Sequence, residues 1–218
     1  MPDEKPNAHP EQLPGKLRYL ALGDSYTIGE GEALEFTYPM QTVRLLKSEG
    51  IHFSETKIIA QTGWSSAELL AGLKQKKLKK GSFDYVSLLI GVNNQYRGLA
   101  LDQFKLELRE LVEISMGLVS GNNHRMVLIS IPDWGVTPFG HSGPRKREDI
   151  SREIDAFNRL VEQQATDFNI PYLEITESYR ASGGLADQVV ADGLHPSKHT
   201  YAAWARSLCQ IIKQGFQQ

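Results

Sequence analysis

Short apolar runs alternate along this chain with stretches whose apolar residues recur at helical spacing. That alternation constrains the fold more than any other feature. The runs cover residues 17–22, 57–60, 85–90, 126–131 and 171–175. The run at 57–60 is the weakest. Pro171 is acceptable in the last because proline is tolerated at the first residue of a strand. Continuous apolar runs of this length suit strands buried on both faces. Between them lie helical patterns. Pro39 suits the first position of a helix that turns Val43 and Leu46 inward. Ser65 and Glu68 have capping-box spacing ahead of Leu69, Leu70 and Leu73. One stripe runs through Phe104, Leu108, Leu111, Ser115 and Leu118, and another through Ile150, Ile154, Phe157, Val161, Ala165 and Phe168. Ser197 can cap a last helix carrying Tyr201, Trp204, Ala205, Leu208 and Ile211. The order βαβαβαβαβα predicts an α/β fold with one five-stranded parallel sheet, helices on both faces and right-handed crossovers.

Composition fits a globular chain. Of 218 residues, 40% are hydrophobic and 23% charged, which is ordinary usage and not that of a disordered chain. At this length roughly 70% of the chain's surface is buried on folding, enough for a core without staples. The net charge of −2 gives no global electrostatic footprint for nucleic acid. The single cysteine, Cys209, excludes an intramolecular disulfide and a cysteine-based zinc cage. No apolar run approaches the length of a membrane span. Residues 1–16 carry four prolines and mixed charge without an apolar stretch. They read as a flexible tail and not a signal peptide, ahead of a single domain over 17–218. Both a cytoplasmic and an exported location, the latter with its signal removed, are compatible with this composition, and oligomeric state is not encoded in it. The basic cluster at 74–80 reads as a solvated helix end, where lysines complement the helix dipole.

In a parallel sheet of this kind, active sites lie beyond the carboxyl ends of the strands. Three segments there carry chemistry. Gly23-Asp24-Ser25 follows the first strand, and its serine can present a hydroxyl to the cleft. The same triplet is also ordinary turn chemistry. Asp192-Gly193-Leu194-His195 precedes the last helix. A tight turn across that spacing can bring the carboxylate to one ring nitrogen and leave the other for a hydroxyl. A helix cap with a surface histidine is the plainer alternative. Gly91-Val92-Asn93-Asn94 follows the most apolar strand, and an asparagine amide in a cleft can donate to a developing oxyanion. Gly63 can add a backbone N–H. His195 and His199 do not make a zinc site, because Pro196 stands where the H-E-x-x-H pattern needs glutamate.

Together these blocks resemble the SGNH hydrolases, the GDSL-type esterase and lipase superfamily. The matching elements are G-D-S at residues 23–25, the lone Gly63, G-x-N at 91–93 and D-x-x-H at 192–195. The resemblance implies a flavodoxin-like three-layer α/β/α sandwich. It implies Ser25 as nucleophile, His195 as base and Asp192 as its orienting acid, with the N–H groups of Ser25 and Gly63 and the Asn93 side chain forming an oxyanion hole. The family's third block is usually G-x-N-D, and here Asn94 stands in place of the aspartate. Asp24 suits a structural place in the turn, since Asp192 has the better spacing to His195.

The expected function is hydrolysis of small acyl esters through an acyl-enzyme, with lysophospholipid and acylated-sugar esters among the substrates the family implies. No metal or organic cofactor is required. An acyltransferase using the same groups and a non-catalytic carbohydrate- or ligand-binding module are the alternatives, and an FMN-binding flavodoxin shares the fold class. The aromatic loop at 132–141 should rim the cleft. Trp134, Phe139 and Trp64 are expected to shape a substrate pocket, or else to pack the loop onto the sheet. Arg97 either meets an anionic leaving group or forms a surface salt bridge.

Overall fold

The structure is a computed structural model that describes residues 17–218. The expected N-terminal tail, residues 1–16, lies outside the described residues.

Five strands form one all-parallel sheet: β1 (Leu17–Gly23), β2 (Phe53–Ala60), β3 (Tyr85–Leu89), β4 (Met126–Ile129) and β5 (Tyr172–Leu173). Their order across the sheet is β2-β1-β3-β4-β5. The α-helices are α1 (Ser25–Ile28), α2 (Tyr38–Ser48), α3 (Ser66–Gln75), α4 (Val92–Tyr96), α5 (Leu101–Leu118), α6 (Pro138–Ser142), α7 (Arg147–Asp167), α8 (Thr176–Ser182) and α9 (Lys198–Gly215). Helices α2 and α9 pack together, and α3, α5 and α7 pack in a row. Among the described residues no helix is long and apolar enough to cross a membrane.

The central strands are apolar because both their faces are covered. Every residue of β3 and β4 is buried. On one face Tyr19 hydrogen-bonds Ser87 at 2.6 Å, and Tyr85 stacks on Phe216 beyond the end of α9. Strand β2 begins four residues earlier than its apolar run. It is an edge strand, and its exposed Ser54 and Glu55 hide the pairing from a reading of hydrophobicity. Strand β5 is shorter than its apolar run, because only Tyr172 and Leu173 pair with β4.

The long helices follow their stripes. The capping box of α3 is present, with the Ser65 N–H and hydroxyl both on Glu68, at 2.7 and 2.8 Å. Ser197 caps α9 by accepting the His199 N–H. Two details shift by one residue. Helix α2 begins at Tyr38, which puts Pro39 second, and in α9 Ile212 is buried where Ile211 is only half-buried. The lysines at 74, 76, 77, 79 and 80 are exposed around the end of α3.

Four helices of seven residues or fewer, α1, α4, α6 and α8, interrupt the expected simple alternation. Each spans at most about two turns, too short for a hydrophobic stripe to announce it. Three of them, α1, α4 and α6, follow the strand ends that carry the candidate chemistry.

Candidate active site

Strand β1 ends at Gly23, which is paired with Ala60 on one side and Leu89 on the other. The segments that follow these three strands therefore leave the sheet side by side. Gly23 has to be glycine, because a Cβ there would lie 2.0 Å from the Thr27 hydroxyl and 2.5 Å from the Leu89 carbonyl. The next residue, Asp24, caps α1 by accepting the Tyr26 N–H at 3.0 Å. Ser25 is thus the first residue of a one-turn helix, with its N–H free of any intrahelical acceptor.

His195 arrives from the far end of the chain. An antiparallel bridge between Val189 and Pro196 and the bond from Val190 N–H to the His195 carbonyl, 2.9 Å, hold its segment. Gly193 turns the chain at φ +68°, and its carbonyl accepts the Phe139 N–H at 2.9 Å. Asp192 uses both oxygens. Oδ1 accepts the N–H groups of Leu194 and His195, at 2.7 and 3.0 Å, while Oδ2 lies 2.6 Å from His195 Nδ1. Partial burial opposes ionisation of Asp192, but the bonds from the His195 ring and the two backbone N–H groups prevail and hold its pKa below the ordinary range. The other ring nitrogen, Nε2, is 2.9 Å from Ser25 Oγ. Ser25 and His195 are both buried, and the Tyr26 ring sits 5.2 Å from the imidazole.

Gly63 lies across from Ser25. Its φ of +81° is open to glycine and costly for other residues. The tight turn here is closed by Trp64 N–H on the Gln61 carbonyl at 3.1 Å, and among the described residues the Gly63 N–H has no acceptor. The Asn93 amide donates to the Trp64 carbonyl at 3.0 Å and, over a longer 3.3 Å, to Asp24 Oδ2. Asp24 is fully buried. Burial pushes its pKa up to about 7, against the Tyr26 N–H and the Asn93 amide, which pull it down.

The structure accounts for Asn94. Its Oδ1 accepts the Ser66 N–H at 2.9 Å and its Nδ2 donates to the Ser66 hydroxyl at 2.7 Å. That leaves the Ser66 hydroxyl proton for Glu107, 2.5 Å away. An ionised aspartate would accept from Ser66 but could not donate to it. Asparagine therefore supports the start of α3 through both halves of its amide.

A cavity of about 220 Å3 opens beside these groups and is lined by Ser25, Gly63, Asn93 and His195. Its walls are mostly apolar: Tyr26, Val92, Tyr96, Trp134, Phe139 and Leu194. Trp134 both packs and lines. It is buried, its Nε1 donates to Gln95 Oε1 at 2.7 Å, and it meets Tyr96 edge-on at 5.3 Å. Phe139 is partly exposed at the rim. Trp64 does not line the cavity: its indole lies over Gly72 of α3, where a Cβ would come within 2.6 Å of the ring. Arg97 lines a neighbouring groove instead, and its guanidinium is engaged by Glu68 and the Gly63 carbonyl. Tyr96, which the sequence reading passed over, stands three residues after Asn93 on α4. Recognition of that short helix would have placed both on one side of it.

The site has the parts of a nucleophile activated by an oriented base, with N–H donors nearby. Comparison with known proteins identifies the family. A model of the GDSL-like lipase/acylhydrolase family matches residues 21–203. No curated protein matches the sequence. Solved structures do. A lipase/acylhydrolase from Enterococcus faecalis is 19% identical with a TM-score of 0.73, covering 91% of this chain and 96% of its own. Axe2, an acetylxylan esterase from Geobacillus stearothermophilus, is 21% identical with a TM-score of 0.68, covering 92% and 96%. The psychrotrophic esterase EstA from Pseudoalteromonas is 19% identical with a TM-score of 0.66, covering 92% and 99%. At these identities the structural likeness speaks for the fold. The family match, which runs from within β1 to within α9 and so takes in every block discussed above, speaks for descent: this chain belongs to the GDSL-like lipase/acylhydrolase family.

Proposed function

We propose that this protein is a serine esterase acting on small acyl esters through a covalent acyl-enzyme. The observation that carries this reading is the continuous contact from Ser25 Oγ to His195 Nε2, 2.9 Å, and from His195 Nδ1 to Asp192 Oδ2, 2.6 Å, beside an apolar cavity. Ser25 Oγ attacks the ester carbonyl as His195 Nε2 takes its proton. Asp192 keeps the other ring nitrogen protonated and stabilises the imidazolium. The developing oxyanion is met by the N–H groups of Ser25 and Gly63 and by the Asn93 amide, which exchanges its long contact with Asp24 for the substrate oxygen. His195 returns the proton to the leaving alcohol. Water then repeats the sequence on the acyl-enzyme and frees the acid.

The cavity's size supports a small ester as substrate. About 220 Å3 is below the roughly 300–1,000 Å3 of pockets that enclose a drug-sized ligand. The test is hydrolysis of p-nitrophenyl acetate, butyrate and octanoate by wild type and by Ser25→Ala, both shown to be folded. Activity on acetate and butyrate that disappears in the variant is the expected result. Equal activity in both removes Ser25 from the mechanism.

A further inference from the structure

We propose that Arg97 is a positioning residue for the oxyanion hole, gripping the Gly63 carbonyl so that the Gly63 N–H stays aimed at the reacting oxygen. The proposal rests on the esterase reading of the site. It starts from the conformational freedom of Gly63. With no Cβ and a left-handed φ, this residue is the least restrained part of a segment whose N–H needs a fixed direction.

Of four consecutive residues in that segment, Gly63, Trp64 and Ser66 are held directly from α4 and the residue that ends it, and Ser65 through Glu68 of α3. Arg97 Nη2 donates to the Gly63 carbonyl. Asn93 donates to the Trp64 carbonyl. Ser65 is bound through its N–H and hydroxyl to Glu68, whose same oxygen takes Arg97 Nη1 at 3.1 Å. Asn94 holds Ser66 at both its N–H and its hydroxyl. The end of β3 thus shapes the segment that follows β2, and Asn93, itself a donor in the proposed hole, belongs to the same clamp.

Within this clamp Arg97 and the 61–64 turn hold the two ends of one peptide, the guanidinium at the Gly63 carbonyl and the Gln61 carbonyl at the Trp64 N–H, so that the side of Gly63 that carries no turn restraint of its own is set from an anchored plane. The guanidinium fork suits two acceptors in different directions, a carboxylate and a carbonyl, where an ammonium is a single compact charge. Arg97 and Glu68 are also the exposed part of the clamp, with side chains 41% and 45% accessible. An exposed ion pair contributes little to folding and weakens in salt. Losing it should therefore loosen the hole without unfolding the protein. The geometry differs from that of a substrate-binding arginine, because both ends of the fork are already occupied by the protein.

The test uses a neutral p-nitrophenyl ester with wild type, Arg97→Ala, Arg97→Lys, Glu68→Gln and Ser25→Ala. Arg97→Ala is expected to lower kcat roughly tenfold, below the ~100-fold that a full ångström of misplacement can cost. KM and the melting temperature should hardly move. The rate of inactivation by a phosphonate, whose tetrahedral anion needs the same donors, should fall by the same factor. Arg97→Lys and Glu68→Gln should fall between, and added salt should slow wild type more than Arg97→Ala. If activity is lost in Ser25→Ala but unchanged in Arg97→Ala, the proposal fails and the esterase reading stands. A rise in KM confined to esters with anionic leaving groups assigns Arg97 to substrate binding and also overturns it. Activity that survives in Ser25→Ala overturns the reading of the site and this proposal with it.

Discussion

Asp192 grips His195 twice: one carboxylate oxygen accepts the histidine's own N–H at 3.0 Å while the other meets its ring at 2.6 Å. The backbone bond fixes the turn and the ring bond fixes the tautomer. Asp192→Asn keeps an oxygen for the backbone N–H groups but turns an amide N–H toward Nδ1. The ring then carries its proton on Nε2, facing Ser25, where a base is needed. The expected loss in kcat is roughly 10² to 10⁴, with little change in the melting temperature. Near-wild-type turnover in this variant would remove Asp192 from the orienting role.

Asn93 has two amide protons and both have acceptors in the resting site. The shorter bond, to Trp64, is structural. The longer one, to Asp24, is available to an oxyanion. Asn93→Ala should lower kcat by roughly 10² to 10³ while KM changes little. A defect seen mainly in KM would point to ground-state binding instead.

Three of the cavity's four aromatic walls, Trp134, Tyr96 and Phe139, should respond differently. Trp134 is buried and hydrogen-bonded, so Trp134→Ala should cost about 3–5 kcal/mol of stability. Tyr96 and Phe139 are partly exposed, with rings 6.5 Å apart. Tyr96→Ala and Phe139→Ala should leave the protein folded, widen the cavity and move the preferred acyl chain from acetate toward octanoate. Rates across the p-nitrophenyl series measure this directly, and an unchanged preference in both variants would separate these rings from the acyl group.

Asp24 gives a stability test with a definite sign. Its pKa rises from an ordinary 3.8 to about 7 on folding, because the carboxyl is buried among Tyr26, Tyr38 and Tyr201. The folded protein holds this proton more tightly than the unfolded chain does. The resulting stabilisation, at most about 4 kcal/mol, is full below pH 3.8 and is lost as pH rises through about 7. Asp24→Asn keeps a good helix cap and cannot ionise. Its stability minus that of wild type should grow between pH 4 and 7 and level off above. Denaturation midpoints across that range give the comparison, and a difference that does not vary with pH would exclude the raised pKa.

Legibility in the sequence followed the distance over which each feature is specified. The stripes of α5 and α7 were readable because burial imposes their period, and the box at Ser65 and Glu68 because its partners stand three residues apart. The Asp192 and His195 contact was suggested by the same short spacing. Strand β2 was half-hidden because its polar residues face water at the sheet edge. The short helices α1, α4 and α6 were missed, and with them the alignment of Asn93 with Tyr96. Trp64 was placed by residue type beside the cleft, whereas its ring covers Gly72 instead.

The alternation of apolar runs and helical stripes by itself determined a parallel α/β sheet, and with it the edge at which chemistry belongs. Those patterns are local and repeat the geometry of the elements they build. The tertiary structure alone decided that Ser25 meets His195 across 170 positions of chain. It alone turned Arg97 onto the Gly63 carbonyl and made Asn94 a clamp on Ser66. Such contacts depend on strand order and on how neighbouring loops leave the sheet, and no spacing along the chain records either one.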